Sequence, residues 1–350
     1  MQRAYWNTYF FIVLLIRFLY YCKMKIKNII TTIVLFLGFT LVTFSQERTA
    51  FEPSGKPILK IFSNYHSTFS EGEIFNQFQI KRAYLGYAHT FSKKWSARVI
   101  FDVGNPKDGG QHQLAAYVKN ALVNYKNAGL SVSFGLIGTT AFKTQEQQWG
   151  YRYLLKSFQN RHNFVSSADI GISAAYQFNN IISADLIMVN GEGHKKIEQD
   201  SIFSIGAGLT INPIDALTLR AYYETTTQEK DSIKRQNTSA LFVGYQFKKL
   251  ALGAEYSLQT NRKMKEGVDW HGFSFFSTLQ IKSAKLFARF DKLKSKADWN
   301  TDSDGHLFII GAEFNPVKGI KIAPNFRTLS PAADNAPHIK YAYINCEISF

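Results

Sequence analysis

His338-Ile339-Lys340-Tyr341-Ala342-Tyr343-Ile344-Asn345-Cys346-Glu347-Ile348-Ser349-Phe350 is the stretch that decides how this chain folds. Ala342, Ile344, Cys346, Ile348 and Phe350 fall on one side of an extended backbone, and Tyr341, Tyr343, Asn345, Glu347 and Ser349 on the other. Successive side chains of a strand point to opposite faces, so this is a strand with one apolar and one polar face. In a soluble sheet a terminal strand is an edge open to unwanted pairing. A barrel whose last strand pairs with its first has no edge, and its apolar face can meet lipid.

Working back from that end, the same period-two pattern recurs in segments of about ten residues as far as Pro57. Sixteen strands are predicted: 58–66, 78–90, 95–103, 113–125, 130–139, 168–178, 181–190, 201–212, 216–226, 237–247, 250–260, 270–281, 285–293, 306–314, 320–328 and 338–350. The ninth is clear, with Leu217, Leu219, Ala221 and Tyr223 set against Thr218, Arg220, Tyr222 and Glu224. The fourth is ambiguous, because Lys119 interrupts one face and Asn120 and Asn124 the other. Connections after even-numbered strands are short, as in Asn179-Asn180 and Lys248-Lys249. Those after odd-numbered strands are long and polar, as in Gly104 to His112, Gly191 to Asp200 and Ser295 to Gly305. Bacterial membrane barrels have short periplasmic turns, long external loops and an even number of antiparallel strands. A soluble sandwich or propeller has no reason to sort its loops by parity. The predicted class is all-β: a transmembrane antiparallel β-barrel of about 16 strands.

Ahead of the strands, Met24 to Asn28 is short and basic, Ile29 to Phe44 is apolar, and Thr43-Phe44-Ser45 suits cleavage. That is the layout of a secretory signal peptide, with Gln46 as first mature residue. Residues 1–23 are read as preceding the true start at Met24. Residues 1–45 are therefore set aside as leader, 46–57 form a short lead-in, and 58–350 form the barrel. No stretch after residue 45 approaches the roughly 20 apolar residues of a spanning helix. Losing the leader removes Arg3, Arg17, Lys23, Lys25 and Lys27 and no acid, so the net charge falls from +15 to +10. A basic balance often signals nucleic acid, but an exported protein meets none. Cys22 lies in the leader and Cys346 stands alone, so there is neither a disulfide framework nor a metal spacing, and no cofactor is expected.

The third long connection, Thr140 to Ser167, is the longest and is rich in helix formers. Loops of that length in a compact fold are usually functional. Within and around it stand Gln145-Glu146-Gln147-Gln148-Trp149-Gly150-Tyr151-Arg152-Tyr153, Ser167-Ala168-Asp169-Ile170-Gly171 and Val189-Asn190-Gly191-Glu192-Gly193. Lys81-Arg82-Ala83-Tyr84-Leu85 and Arg289-Phe290-Asp291 stand further off. Through these segments the chain resembles the phosphate-selective porin O and P family of Gram-negative bacteria. The strand ending at Phe350 likewise resembles the C-terminal assembly signal of outer-membrane barrels. The resemblance implies an outer-membrane porin, homotrimeric, in contact with membrane lipid and inserted by the outer-membrane barrel assembly machinery. It implies passage of small polar or anionic solutes through a constriction made by the third loop, and no catalysis. Phosphate selectivity is not implied, because no ladder of Arg and Lys along the pore can be matched.

If loop 140–167 folds inward, Lys143, Arg152, Lys156 and Arg161 stand at the narrowest point against Glu146 alone, where low-dielectric walls focus the field. With the apolar faces outward, Lys60, Arg82, Arg98, Arg220, Arg289, Lys321 and Arg327 point inward. So do Asp102, Asp185, Glu224, Glu255, Asp291, Glu313 and Glu347. The wall is close to neutral. Arg82, Arg98, Arg220, Arg289 and Arg327 are candidate pore-wall cations, the competing account being structural ion pairs in a wet lumen. A different class of function, a plugged barrel serving as anchor or adhesion protein, would call for longer loops, since sixteen strands normally leave an aqueous channel. A membrane-embedded hydrolase has little support: His271 and Ser274 fall on opposite faces of one strand.

Overall fold

Alternation along each strand closes into a ring in the computed structural model, which describes residues 51–104, 114–227 and 234–350. The strands are β1 (Ser54–Ser70), β2 (Glu73–Thr90), β3 (Trp95–Gly104), β4 (Ala115–Asn127), β5 (Leu130–Gly138), β6 (Ala168–Gln177), β7 (Ile182–Val189) and β8 (Ser204–Ile214). They continue as β9 (Leu217–Thr226), β10 (Asn237–Phe247), β11 (Leu250–Thr260), β12 (Trp270–Ile281), β13 (Ala284–Ser295), β14 (Gly305–Val317), β15 (Ile320–Pro331) and β16 (Ile339–Ser349). Each pairs antiparallel with its sequence neighbours, and β16 returns to β1, giving a closed barrel of sixteen strands. The expected leader over 1–45, most of the connection Gly104 to His112, and Lys230 lie outside the described residues.

The ring is sorted in the sense opposite to a soluble protein. Val99, Phe101, Leu241, Val243 and Ile344 are exposed on its outside, whereas Asp102, Glu255, Asp291 and Asn345 are buried on its inside. Outward aromatic pairs gather near the short turns: Trp95 with Tyr125, Tyr176 with Phe178 and Tyr245 with Phe247, with ring centroids 4.9, 5.0 and 6.4 Å apart. Such a girdle marks one rim of an apolar band.

Loop lengths follow parity with one exception. The first two strands are longer than expected and meet at a two-residue turn, Glu71-Gly72, where a long loop was predicted. Both turn residues have positive φ, 50° and 84°, the backbone of a type I′ hairpin turn. Pairing runs up to it, with Phe69 opposite Ile74, and Ser67 Oγ donates to Asn76 Oδ1 at 2.7 Å. The register shifts in four ladders, β1–β2, β3–β4, β8–β9 and β14–β15, and the first two bear on the loop between β5 and β6. In the β1–β2 ladder Phe62 faces Arg82 but Ser63 faces Ile80, so Lys81 is an extra residue. In the β3–β4 ladder Ile100 faces Asn120 but Phe101 faces Val118, so Lys119 is extra. A bulge of this kind turns two consecutive side chains to the same side. That resolves the ambiguity of the fourth strand, whose polar face changes parity at Lys119.

Closure can be tested at the seam, where Ser63 of β1 lies opposite the free Cys346 of β16. Paired Cα atoms in an antiparallel ladder fall in the range of about 4.4–6.8 Å that a disulfide needs. Ser63→Cys is expected to bond to Cys346 under mild oxidant and to alter the gel mobility of the boiled, unreduced protein. Mobility unchanged by oxidant would contradict the register.

Candidate functional site

Residues 139–167 between β5 and β6 lie inside the barrel and carry two short helices, α1 (Lys143–Trp149) and α2 (Phe158–His162). Helix α1 ends on Gly150 at φ 70°, whose N–H returns to Glu146 O, and α2 ends on Asn163 in the same left-handed conformation. Three apolar clusters hold the loop. At its start Ala141 and Phe142 pack on Ile187, Val189 and Tyr222. In its middle Trp149, Tyr151, Tyr153 and Leu154 pack on inward Phe62, Phe242, Phe276, Phe287 and Ile309. At its end Phe158 and Phe164 meet Trp270 and Leu293. Full burial of each large side chain is worth about 1.5–3 kcal/mol.

Polar anchors act beside the apolar ones. Arg220 forms a two-pronged ion pair with Asp185, at 2.7 and 3.0 Å, and donates to Thr140 O at 2.8 Å. Arg289 does the same with Asp291, at 2.8 Å on each prong, and donates to Lys156 O at 2.8 Å. Gln259 donates to Phe164 O at 2.6 Å. Tyr153 donates to Glu313 at 2.8 Å. Burial and that carboxylate both push the Tyr153 phenol well above its usual range, so it remains a donor.

Of the predicted constriction residues, Lys143 is exposed and Lys156 half-buried. Arg152 pairs with Glu146, and Arg161 pairs with Asp291 at 3.3 Å. Among the predicted wall residues, Arg220 and Arg289 are the anchors just described. Arg82 pairs with Asp102 at 3.0 Å and donates to Tyr84 Oη at 2.7 Å. Arg327 is buried, donates to Asn325 and Asn345, and lies 3.9 Å from the ring centroid of Tyr343. Arg98 alternates with outward Val99 and so faces inward, where it is exposed and the third loop does not cover it.

Two residues outside the predicted set complete the site, and both are the bulge lysines. Lys81 Nζ donates to Leu154 O at 2.9 Å and is close enough to Arg82, Arg152, Lys156 and Arg327 to feel their repulsion. Lys119 Nζ bonds Ser167 Oγ and lies 3.4 Å from His194 Nε2, within the repulsive field of Arg152, Arg82 and Lys156 and the attractive one of Asp102. No carboxylate pairs with either lysine among the described residues. Regular alternation would have turned Lys81 to the outer face, which is why the sequence hid it.

His194 is brought in by the motif residues. One Asp169 oxygen accepts from Gly191 N and Gly193 N at 2.8 and 3.0 Å, and the other from Ile170 N at 2.8 Å. Gly193 has φ 85°, and a Cβ there would collide with Ser166. This clamp folds the loop after β7 over the rim, so that Lys195 Nζ lies 3.7 Å from the Tyr117 ring. Burial, and then the Lys119 ammonium, hold His194 down to about 3, so it is neutral at ordinary pH. Among the described residues the site thus gathers Lys81, Arg82, Lys119, Arg152, Lys156 and Lys195 with Asp102 and Glu146.

No protein-family model and no curated protein sequence matches the chain. Solved structures do. Salmonella typhi OmpF, crystallised with daunomycin, aligns with TM-score 0.64 at 12% identity, over 84% of this chain and 97% of its own. Pseudomonas putida OprB aligns with TM-score 0.63 at 10% identity, over 85% and 94%. The anion-selective porin of Comamonas acidovorans aligns with TM-score 0.63 at 13% identity, over 85% and 100%. The fold is that of the porins. At these identities the likeness extends to the barrel and not to its lining.

The anchors give a stability prediction. Arg289 and Asp291 are each 1% exposed, and removing one partner of such a pair costs about 3–5 kcal/mol by leaving a buried charge. Arg289→Met is expected to lower clearly the temperature at which the folded gel form is lost, and adding Asp291→Leu together with Arg161→Leu, which strands no charge, to restore most of it. Equal losses in both variants would contradict the anchoring role.

Proposed function

We propose that the chain is an outer-membrane porin, a water-filled channel for passive entry of small polar solutes with a modest preference for anions. The observation that carries this reading is the pair of bulge lysines, Lys81 and Lys119, aimed at the third loop without a carboxylate partner among the described residues. The outward apolar band and its aromatic rim favour a membrane, and a barrel of this strand number normally leaves an aqueous channel. In this reading Lys143, Arg152, Lys156 and Arg161 set the loop side of the constriction, Arg82, Arg98, Arg220, Arg289 and Arg327 contribute to the wall, and no reaction is catalysed.

The remaining parts of the proposal concern export and assembly. Residues 1–45 would direct export and be lost. Phe350 would present the closing strand to the barrel assembly machinery, and the mature barrel would stand as a trimer in the outer membrane of a Gram-negative bacterium. The short motifs shared with the phosphate-selective porin O and P type support a place near that group. Here those motifs build the third loop and the Asp169 clamp, which any anion would pass, so phosphate preference forms no part of the proposal. A plugged barrel is the rival, favoured by the bulk of aromatic side chains that loop 139–167 places in the lumen.

Reversal potential across a planar bilayer in a potassium chloride gradient tests the proposal. Chloride is expected to permeate better than potassium, more so near 0.1 M than near 1 M, as the Debye length falls from about 10 Å to about 3 Å. Arg152→Ala with Lys156→Ala should reduce the preference, and Lys81→Ala with Lys119→Ala should reduce it further. Cation preference in the unaltered protein, or no change in either double variant, would mean that this constriction does not set selectivity. Absence of any conductance would favour the plugged barrel.

A further inference from the structure

A second basic cavity, which shares Arg161 with the proposed constriction, opens on the loop side of the barrel. It has a volume of about 500 Å³ and lies between the end of α2, the connection 261–269 and the connection 296–304. Arg161, Arg262, Lys263, Lys265, Trp270 and Trp299 line it, and no carboxylate does so among the described residues. Cavities of about 300–1,000 Å³ are the size that takes small-molecule ligands.

Its floor is built rather than incidental. Arg262 lies over Trp270, 3.7 Å from the ring centroid, and is fixed there by Gln259 Oε1 at 2.8 Å and Asn163 O at 3.1 Å. Trp270 stacks on Phe164 at 4.8 Å and donates its N–H to Gln259. Both faces of Trp270 are therefore taken. Trp299 is different: its N–H is spent on Asp269 O at 2.8 Å and its ring is tilted against Trp270 at 5.6 Å, but the residue is 37% exposed beside the cavity. His162 adds a buried Nε2 with no partner. Burial, then repulsion from Arg161, hold this ring down to about 3, so it is neutral and can donate or accept. The backbone of Asn261, Lys263 and Met264 is left-handed, at φ 53°, 55° and 59°, an unusual strain in the connection that carries the lining residues Arg262, Lys263 and Lys265.

We infer that this cavity is a capture site for organic anions that carry a ring, with the anionic group held by Arg262, Lys263 and Lys265 and the ring stacked on Trp299. Cations placed around an open aromatic face suit a phosphate or carboxylate attached to a flat group better than either part alone. The site deepens the anion-channel reading, since it would concentrate such solutes above the constriction. It does not require that reading, because binding is measurable without conduction.

The test is tryptophan fluorescence titration of the detergent-solubilised barrel with phenyl phosphate, inorganic phosphate and phenol. Lys263→Ala with Lys265→Ala removes two exposed charges without touching a buried contact, and Trp299→Leu removes the open ring. Phenyl phosphate is expected to bind at least about tenfold more tightly than either fragment, and each variant to weaken it about fivefold or more. Equal affinity for phenyl and inorganic phosphate, no saturable binding, or binding unchanged in both variants would overturn the inference. A barrel that binds phenyl phosphate as expected yet conducts no current would sink the channel and leave this site standing.

Discussion

The buried hydrogen bonds from barrel wall to the third loop are the constraint on which the rest depends. A segment inside a barrel cannot leave its carbonyl groups bare. Thr140, Leu154, Lys156 and Phe164 each give theirs to a wall side chain, respectively Arg220, Lys81, Arg289 and Gln259. Three of those four donors are cations. Two of them, Arg220 and Arg289, are neutralised by Asp185 and Asp291, so they fix the loop without adding to the field. Lys81 has no such acid among the described residues; it holds the loop, and under the proposed function it also charges the passage beside it.

The same economy explains where charge accumulates. The inward wall is nearly balanced in composition, and four of its acids are taken up in pairs, Asp102 by Arg82, Asp185 by Arg220, Asp291 by Arg289 and Arg161, Glu347 by Lys321, whereas Glu224, Glu255 and Glu313 accept from Tyr222, Ser257 and Tyr153. Lys81 and Lys119, the bulge residues of β2 and β4, have no acid in such a pair among the described residues. A wall balanced in composition is therefore compatible with the basic constriction that the proposed function requires.

Much of the fold was legible in the sequence, for a physical reason. Lipid outside and water inside impose opposite demands on successive residues, so β9 and β16 write their orientation into their composition. The sorting of connections by length added topology. Three features were hidden. Lys81 and Lys119 sit at bulges, and a reading that assumes unbroken period two turns Lys81 outward and leaves β4 without a clear face. Inward Phe242 and Phe276 stand beside outward Leu241 and Phe275, so those strands are apolar on both faces, and the seat of the loop does not show. The Glu71-Gly72 turn was readable as a turn signal but was absorbed into a supposed loop. The motif around Asp169 was visible, but its task, clamping Gly191 and Gly193 and thereby placing His194, depends on contacts 22 and 24 residues away in sequence.

The central claim is that permeating ions pass Lys119, between the β4 bulge and the third loop. Its most direct test is single-channel current through Lys119→Cys, with outward Cys346 replaced by Ser, before and after a sulfonate-bearing thiol reagent. The account predicts that each modification gives one discrete fall in current, because an anionic group now stands where an ammonium stood. A current unchanged by the reagent, whether the thiol has reacted fully or not at all, would contradict it.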